Sequence, residues 1–478
     1  MPPPPGTIQH LVVLMLENRS FDHMLGFMKS DAYPIDGLTG SESNLDSNGV
    51  LVPVSPDADF SGDLTPDPGH HFPDVNMQIF GNSEGAGEPT MTGFVNAYAQ
   101  MGGSSVAQSH KIMKCFSPGP VPECKIPVLV TLAEQYAVCD RWFSSVPGPT
   151  LPNRAFAHAA TSVGRVDMNP IWFEIGKTIY ELLRESKVTS KIYFHDATVA
   201  MTFKNFIKDQ SYFGTFDDFL DACGKGKLPA YSFLEPRYNA DSVNHLGAND
   251  QHPDHDVAEG ETLIHDVYNA VRRSPLWENT ILLIVYDEHG GLYDHVPPPA
   301  TVNPDDKVSL NPPFDFRRLG LRVPAVVVSP WIEAGTIDHL QYDHASIAAT
   351  ARKLFLAAGS EPLTRRDAIA NAFDINLKLD APRRDNVDFN APHKNAALAR
   401  VANAPQTLAR VDEHAALPLS ELQRTLVQQS HFLNQHGIPP DEGPDTAPEH
   451  IQTEQQASDF HAQVASSFFQ PKIKGAGQ

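Results

Sequence analysis

Apolar residues along this chain come in short blocks, and the block lengths separate strands from helices. Residues 11–16 and 281–285 are unbroken apolar runs, the second rich in β-branched residues and soon followed by Gly290-Gly291. Runs this short, bounded by turn residues, predict strands buried on both faces of a parallel sheet. Residues 192–194, 231–234 and 322–330 read as further strands. Between them, helices are expected over 127–138, from Thr150 to about 160, over 261–273 with Leu263, Val267, Ala270 and Val271 on one face, and through 356 from a start near Asp343. Strand and helix alternate, which implies βαβ units and a mostly parallel sheet covered on both sides. Residues 30–90, rich in Pro, Gly, Ser and Asp, read as a long ordered loop, a type usually kept for function.

Composition narrows the class. The 478 residues are 41% hydrophobic and 20% charged, which suits one large α/β domain with an appendage. Residues 1–375 are assigned to that domain. Residues 376–478 change character and read as an extension: a helix at 419–435 with Leu419, Leu422, Leu426 and Phe432 on its apolar face, then a polar tail. The end of that tail, from Phe468 to Lys474, is apolar and locally basic, and is considered as a strap over an acidic mouth. A net charge of -22 argues against nucleic acid and against electrostatic docking on anionic membranes. No apolar run approaches the ~20 residues that span a bilayer. The leader Met-Pro-Pro-Pro-Pro-Gly has neither the basic nor the apolar region of a signal peptide. The four cysteines form no CxxC pair, and Cys115 with Cys124 would close a loop only in an exported protein.

Chemistry gathers at strand ends, where open α/β sheets place their ligand crevices. Glu17-Asn18 follows the first apolar run, and Asp287-Glu288-His289 follows the run at 281. Asp287 and Glu288 point to opposite faces of a strand unless it breaks, which the glycine pair permits. These hard oxygen donors suit a divalent metal, with Ca²⁺, Mg²⁺ and Mn²⁺ open on ligand type. Thr150 opens a predicted helix, whose free N–H groups would bind phosphate while a metal activates the hydroxyl. A Thr in that position is equally accounted for as a helix cap. His70, His71, His195, His245, His252, His255, His289 and His295 concentrate at loop and strand ends, where imidazole serves as phosphate ligand or general acid.

Taken in order, Glu17-Asn-Arg-Ser-Phe-Asp-His23, Asp67-Pro-Gly-His70, Pro149-Thr-Leu-Pro-Asn-Arg154, His252-Pro-Asp-His-Asp-Val257, Tyr286-Asp-Glu-His-Gly-Gly-Leu-Tyr-Asp-His-Val-Pro297, the block 322–330 and Tyr342-Asp-His-Ala-Ser-Ile347 resemble the bacterial phosphoesterase family. That family contains phosphatidylcholine-preferring phospholipases C and related acid phosphatases. The resemblance spans about residues 8–360. It implies an alkaline-phosphatase-like three-layer α/β sandwich and a metal, zinc by the resemblance, on Glu17, Asn18, Asp287, Glu288 and Thr150. It further implies Thr150 as nucleophile, with His70, His195 and His252 around the phosphate, and export, which is at odds with the leader. The expected activity is a phospholipase C acting through a phospho-threonine, with acid phosphatase as the alternative. A non-catalytic lipid-binding protein is disfavoured, because every expected ligand position is filled. His289 and Trp142 are expected at the substrate, and a choline headgroup would call for an aromatic cage, with Trp142, Phe143, Trp172, Tyr286 and Tyr293 nearest the motifs.

Overall fold

The computed structural model describes residues 3–59, 64–119, 124–169, 175–207, 209–385, 387–389, 411–437 and 447–468. Trp172 and residues 469–478 lie outside that set, so the strap idea for the tail end has no structural counterpart here.

An eight-stranded sheet forms the centre. Its strands, in chain order, are β1 (His10–Leu16), β4 (Ala137–Cys139), β5 (Ser190–Phe194), β6 (Phe213–Thr215), β7 (Tyr231–Leu234), β8 (Thr280–Tyr286), β11 (Ala325–Val328) and β12 (Thr336–Asp338). Two hairpins, β2–β3 (Ser43–Leu45, Leu51–Pro53) and β9–β10 (Ser309–Leu310, Pro313–Phe314), stand apart from it. Across the sheet the order is β12-β4-β11-β8-β1-β7-β5-β6. All pairings are parallel except those of β11, which runs against both β8 and β4. The α/β class and the mostly parallel sheet are thus as expected. β1 and β8 lie at the centre, and almost every residue of both is buried, the reason they read as continuous apolar runs.

Helices cover both faces and contribute to one core with the sheet. Val257–Arg273 buries Leu263, Ile264, Val267 and Val271, and Ala345–Phe355 buries Ile347, Ala348 and Ala351. Three expectations needed correction. The helix expected over 127–138 ends at Gln135, and Ala137–Cys139 becomes β4, paired with β11 and β12. Helical periodicity over that stretch lost to two open strand edges. The loop expected over 30–90 contains the β2–β3 hairpin and the helix Phe72–Phe80. Within the polar tail, Glu454–Phe468 is a helix packed on Glu421–Gly437. Leu419, Val427, Ile451, Ala457, Phe460 and Val464 join the same core as the sheet. The four cysteines are buried and free, so Cys115 and Cys124 form no disulfide.

Arg322 ties the 20–37 segment to the sheet and is fully buried. Its Nε donates to Asp294 Oδ1 (2.9 Å), Nη2 to Asp22 Oδ1 (2.8 Å), and Nη1 to the carbonyls of Asp36 (2.6 Å) and Asp140 (2.9 Å). Removing one partner of such a cluster strands buried carboxylates, at a cost of about 3–5 kcal/mol. Arg322→Met is therefore expected to lower unfolding free energy by that amount in urea titrations. A loss below about 1 kcal/mol, the range of an exposed ion pair, would show the cluster to be dispensable.

Candidate active site

β1 and β8 run parallel and in register, Leu16 beside Tyr286, so the next residues of each strand, Glu17 and Asp287, emerge side by side at the carboxyl edge. The Asp287 N–H donates to the Leu16 carbonyl (3.2 Å), and the Asn18 N–H donates to Asp287 Oδ1 (3.1 Å). Both strands then break. Asn18 takes a left-handed φ of 56°, and Gly290 (φ 66°) packs so close that a Cβ there would lie 2.0 Å from the Asn18 carbonyl oxygen. Glu288 is held in this turn, its Oε2 accepting from the Gly290 N–H (2.7 Å). Its Oε1 is buried and has no hydrogen-bond partner.

Thr150 is the first residue of the ten-residue helix Thr150–Ala159, and its hydroxyl donates to Asn18 Oδ1 (3.3 Å). Arg154, one turn further on the same face, reaches both strand ends. Its Nε donates to Asp287 Oδ2 (3.1 Å) and its Nη2 to Glu17 Oε1 (3.3 Å). All three groups are fully buried. Burial, and then the Asp287 charge, push Glu17 well above the usual carboxylate range, and burial raises Glu288 to about 8. Burial beside one guanidinium thus favours the protonated form of these carboxyl groups.

The histidines form a second tier. His70 donates from Nδ1 to the Pro68 carbonyl (3.0 Å), and the same nitrogen lies 4.0 Å from Glu288 Oε1. His252 donates from Nδ1 to Asp254 Oδ1 (2.5 Å) and stands edge-on to His70, ring centroids 6.3 Å apart. Asp67 lies between them, 3.8 Å from His70 and 3.7 Å from His252. Burial opposes charge on His252, but Asp254 and Asp67 outweigh it and push its pKa up to about 10. The same direction holds for His255, raised by Asp250 (2.6 Å) and Asp254 (3.6 Å), with Glu454 of the last helix at 3.5 Å. Arg19 fixes this loop from below, donating to the carbonyls of Gln251 (2.6 Å) and His252 (3.0 Å).

Of the residues singled out in the sequence, Glu17, Asn18, Thr150, Asp287, Glu288, His70 and His252 meet at this edge. His195 does not join them. It directly follows β5, two strands from β1, where Nδ1 donates to the Glu235 carbonyl (3.1 Å) and the ring stacks on Phe216 at 4.2 Å. Burial lowers its pKa to about 4. His289 is buried behind Glu288, Nδ1 at 3.2 Å from Glu288 Oε2 and Nε2 donating to Gln78 Oε1 (2.8 Å). It supports a carboxylate rather than facing a substrate. Trp142 is a core residue, stacked on Tyr342 and donating to His344, whose Nε2 donates in turn to the Asp287 carbonyl. Phe143 and Tyr286 are likewise buried, so none of these three rings is open to a headgroup.

Sequence reading passed over Arg154, Asp67, Asp254 and Asp250. The first three stood inside the quoted motifs, and the spacing of Arg154 from Thr150, four residues on a helix, was an available signal. Glu454 and Glu421 gave none. Glu421 pairs with His71 (2.8 Å), and with His70 the three donors lie within 4.8 Å of one another. Glu17, Asp287 and Glu288 do not form such a cluster, because Arg154 occupies the space between the first two. The donors nonetheless fit a hard divalent cation. They are carboxylate, amide and hydroxyl oxygens, and Glu288 Oε1 is a buried oxygen without a partner.

Residues 8–356 match the phosphoesterase family. The chain belongs to that family. This phosphoesterase is 40% identical to non-specific phospholipase C6 of Arabidopsis thaliana over 89% of its own length and 81% of the relative's. It is 42% identical to non-specific phospholipase C1 of the same plant, over 80% and 73%. It is 27% identical to phospholipase C B of Mycobacterium tuberculosis, over 81% of each. The relatives therefore include plant as well as bacterial proteins. Among solved structures, a protein in the alkaline phosphatase superfamily from Vibrio parahaemolyticus aligns over 62% of this chain and 83% of its own, with 12% identity and a TM-score of 0.33. The phosphoesterase is a phosphoric ester hydrolase with phospholipase C relatives along most of its length.

The charge state of His252 is open to measurement. Its imidazole is expected to titrate near pH 10 in histidine-resolved NMR, and in Asp254→Asn to titrate at least about one unit lower, since that removes the nearest carboxylate. An unchanged titration would remove Asp254 as the cause.

Proposed function

We propose that this phosphoesterase is a metal-dependent phospholipase C that cleaves phosphatidylcholine-type phospholipids to diacylglycerol and phosphorylated headgroup through a phospho-threonine. The observation that carries the reading is the Thr150 hydroxyl, hydrogen-bonded to Asn18 at the N-terminus of its helix, beside the Glu17–Asp287 pair and within the tier formed by His70 and His252.

Glu17, Asn18, Thr150, Asp287 and Glu288 would hold the divalent metal, zinc on the family resemblance. When bound, it would make the Thr150 hydroxyl more acidic and offset charge on a phosphoryl oxygen. The remaining work belongs to the chain. Asn18 Oδ1 orients the hydroxyl, so that an oxygen lone pair is left to attack phosphorus. As the Thr150 oxygen–phosphorus bond forms, the hydroxyl proton passes to solvent, the bond from phosphorus to the glycerol oxygen breaks, and the leaving alkoxide needs a proton. His252, held protonated by Asp254 and Asp67, supplies it. His70, its Nδ1 engaged by the Pro68 carbonyl, presents Nε2 to the phosphate. Water then attacks phosphorus and gives a proton to His252, the bond to Thr150 breaks and its oxygen takes a proton back from solvent, and the phosphorylated headgroup leaves.

Two observations bear on substrate. The plant and mycobacterial relatives carry the name phospholipase C, which favours the lipid over a soluble monoester. Trp142, Phe143 and Tyr286 are sealed in the core, so a choline cage built from them is withdrawn.

The test is hydrolysis of phosphatidylcholine and of p-nitrophenyl phosphate, each with and without chelator, on wild type and Thr150→Ala. Expected are chelator-sensitive release of phosphocholine and a loss of about 10³-fold or more in Thr150→Ala. Mass spectrometry of acid-quenched wild type is expected to find phosphate on Thr150. Turnover of the monoester without lipid cleavage would make the protein a phosphatase, and full activity in Thr150→Ala would remove the nucleophile.

A further inference from the structure

A phospholipase must meet its substrate at a lipid surface, and the chain carries an exposed apolar hairpin packed against the helix that Thr150 opens. The β9–β10 hairpin pairs Leu310 with Pro313 and Ser309 with Phe314. At its tip Leu310 is 85% exposed, and Val308 at its base is 47% exposed. An exposure this large on a leucine is unusual only when the residue lies next to further apolar surface, and here it does. Behind the hairpin an open groove of about 590 Å³ runs to the helix Phe72–Phe80, floored by Phe72, Phe80 and Phe314.

The groove is packed against elements of the candidate active site. Phe72 directly follows His70 and His71, and its ring lies 4.9 Å from that of Phe314. Phe72 also packs in one cluster with Phe156, from the middle of the Thr150 helix, and with Phe316. The base of the hairpin is seated against the turn that follows that helix. A Cβ at Gly164 (φ 84°) would lie 3.0 Å from the Val308 carbonyl oxygen. Arg318 lines the groove with its guanidinium over the Phe80 ring (4.7 Å) and one donor on Asn76, so the cation stiffens the floor instead of standing free.

Charge identifies the kind of surface. Over 305–318 the acidic Asp305, Asp306 and Asp315 balance the basic Lys307, Arg317 and Arg318, on a chain whose net charge is -22. A locally neutral patch avoids the repulsion that the rest of the molecule would meet at an anionic bilayer. It suits a zwitterionic headgroup layer with apolar residues entering its boundary.

We propose that the β9–β10 hairpin is the element that docks this phosphoesterase on a zwitterionic lipid surface, with Leu310 and Val308 entering the interface and the apolar Phe72–Phe314 groove beside them lying against the acyl boundary. This rests on the lipid reading above. The test separates binding from turnover. Wild type, Leu310→Asp and Leu51→Asp are sedimented with phosphatidylcholine vesicles, and each is assayed on water-soluble short-chain phosphatidylcholine and on p-nitrophenyl phosphate. Leu51 is the control, 62% exposed on the other hairpin. Leu310→Asp is expected to weaken vesicle binding by about tenfold or more, as a charge replaces an interfacial leucine, with turnover of the soluble esters within about twofold of wild type. Leu51→Asp is expected to bind as wild type does. Wild-type binding by Leu310→Asp, an equal loss in Leu51→Asp, or no sedimentation of wild type would each overturn the docking assignment. Hairpin-dependent binding by a protein that cleaves no lipid would uphold the docking surface and overturn the phospholipase reading instead.

Discussion

The parallel, in-register contact of β1 with β8 is the constraint on which the rest depends. It sets two acidic residues from distant parts of the chain, Glu17 and Asp287, at the same level of the sheet edge. Two buried carboxylates so placed repel each other and are costly to desolvate. The structure answers with a fully buried guanidinium from a third element. Arg154 reaches both, and because it lies one turn along the helix that Thr150 opens, satisfying the carboxylates also fixes the position of the hydroxyl. Charge compensation and placement of the Thr150 hydroxyl are one arrangement.

The histidine tier follows the same logic with the signs reversed. His252 and His255 are buried imidazoles whose protonated forms are favoured because Asp67, Asp250, Asp254 and Glu454 surround them. Two of the carboxylates near the site, Glu421 and Glu454, come from the C-terminal helices, beyond the residues that match the family. Glu454 also accepts from the Ala240 N–H (2.7 Å), and Gln423 donates to the Tyr238 carbonyl (2.7 Å) beside Arg154. The extension is thus bonded into the wall of the site as well as into the core.

Much of this was legible in the amino-acid order. Uninterrupted apolar runs announced the central strands because a strand buried on both faces admits nothing else. Acidic residues directly after them announced the crevice, and the Gly290-Gly291 pair announced the turn. Where local signals competed, as at 127–138, helical periodicity concealed a short strand whose only reason to form is the two neighbours it pairs with.

What the sequence by itself determined, then, is the strands at the centre of the sheet, the class of fold, the family and the donors clustered at two strand ends, since each of these is a property of residues near one another in the chain. The tertiary structure alone decided which histidines reach the site. His252 arrives because Arg19 and Asp254 hold its loop there, while His195, equally placed at a strand end, is carried two strands away. It also decided that Trp142 is core, that His289 backs Glu288, and that Glu454 belongs to the site. These are questions of distance between residues far apart in sequence, and strand order and packing, which no local pattern encodes, set those distances.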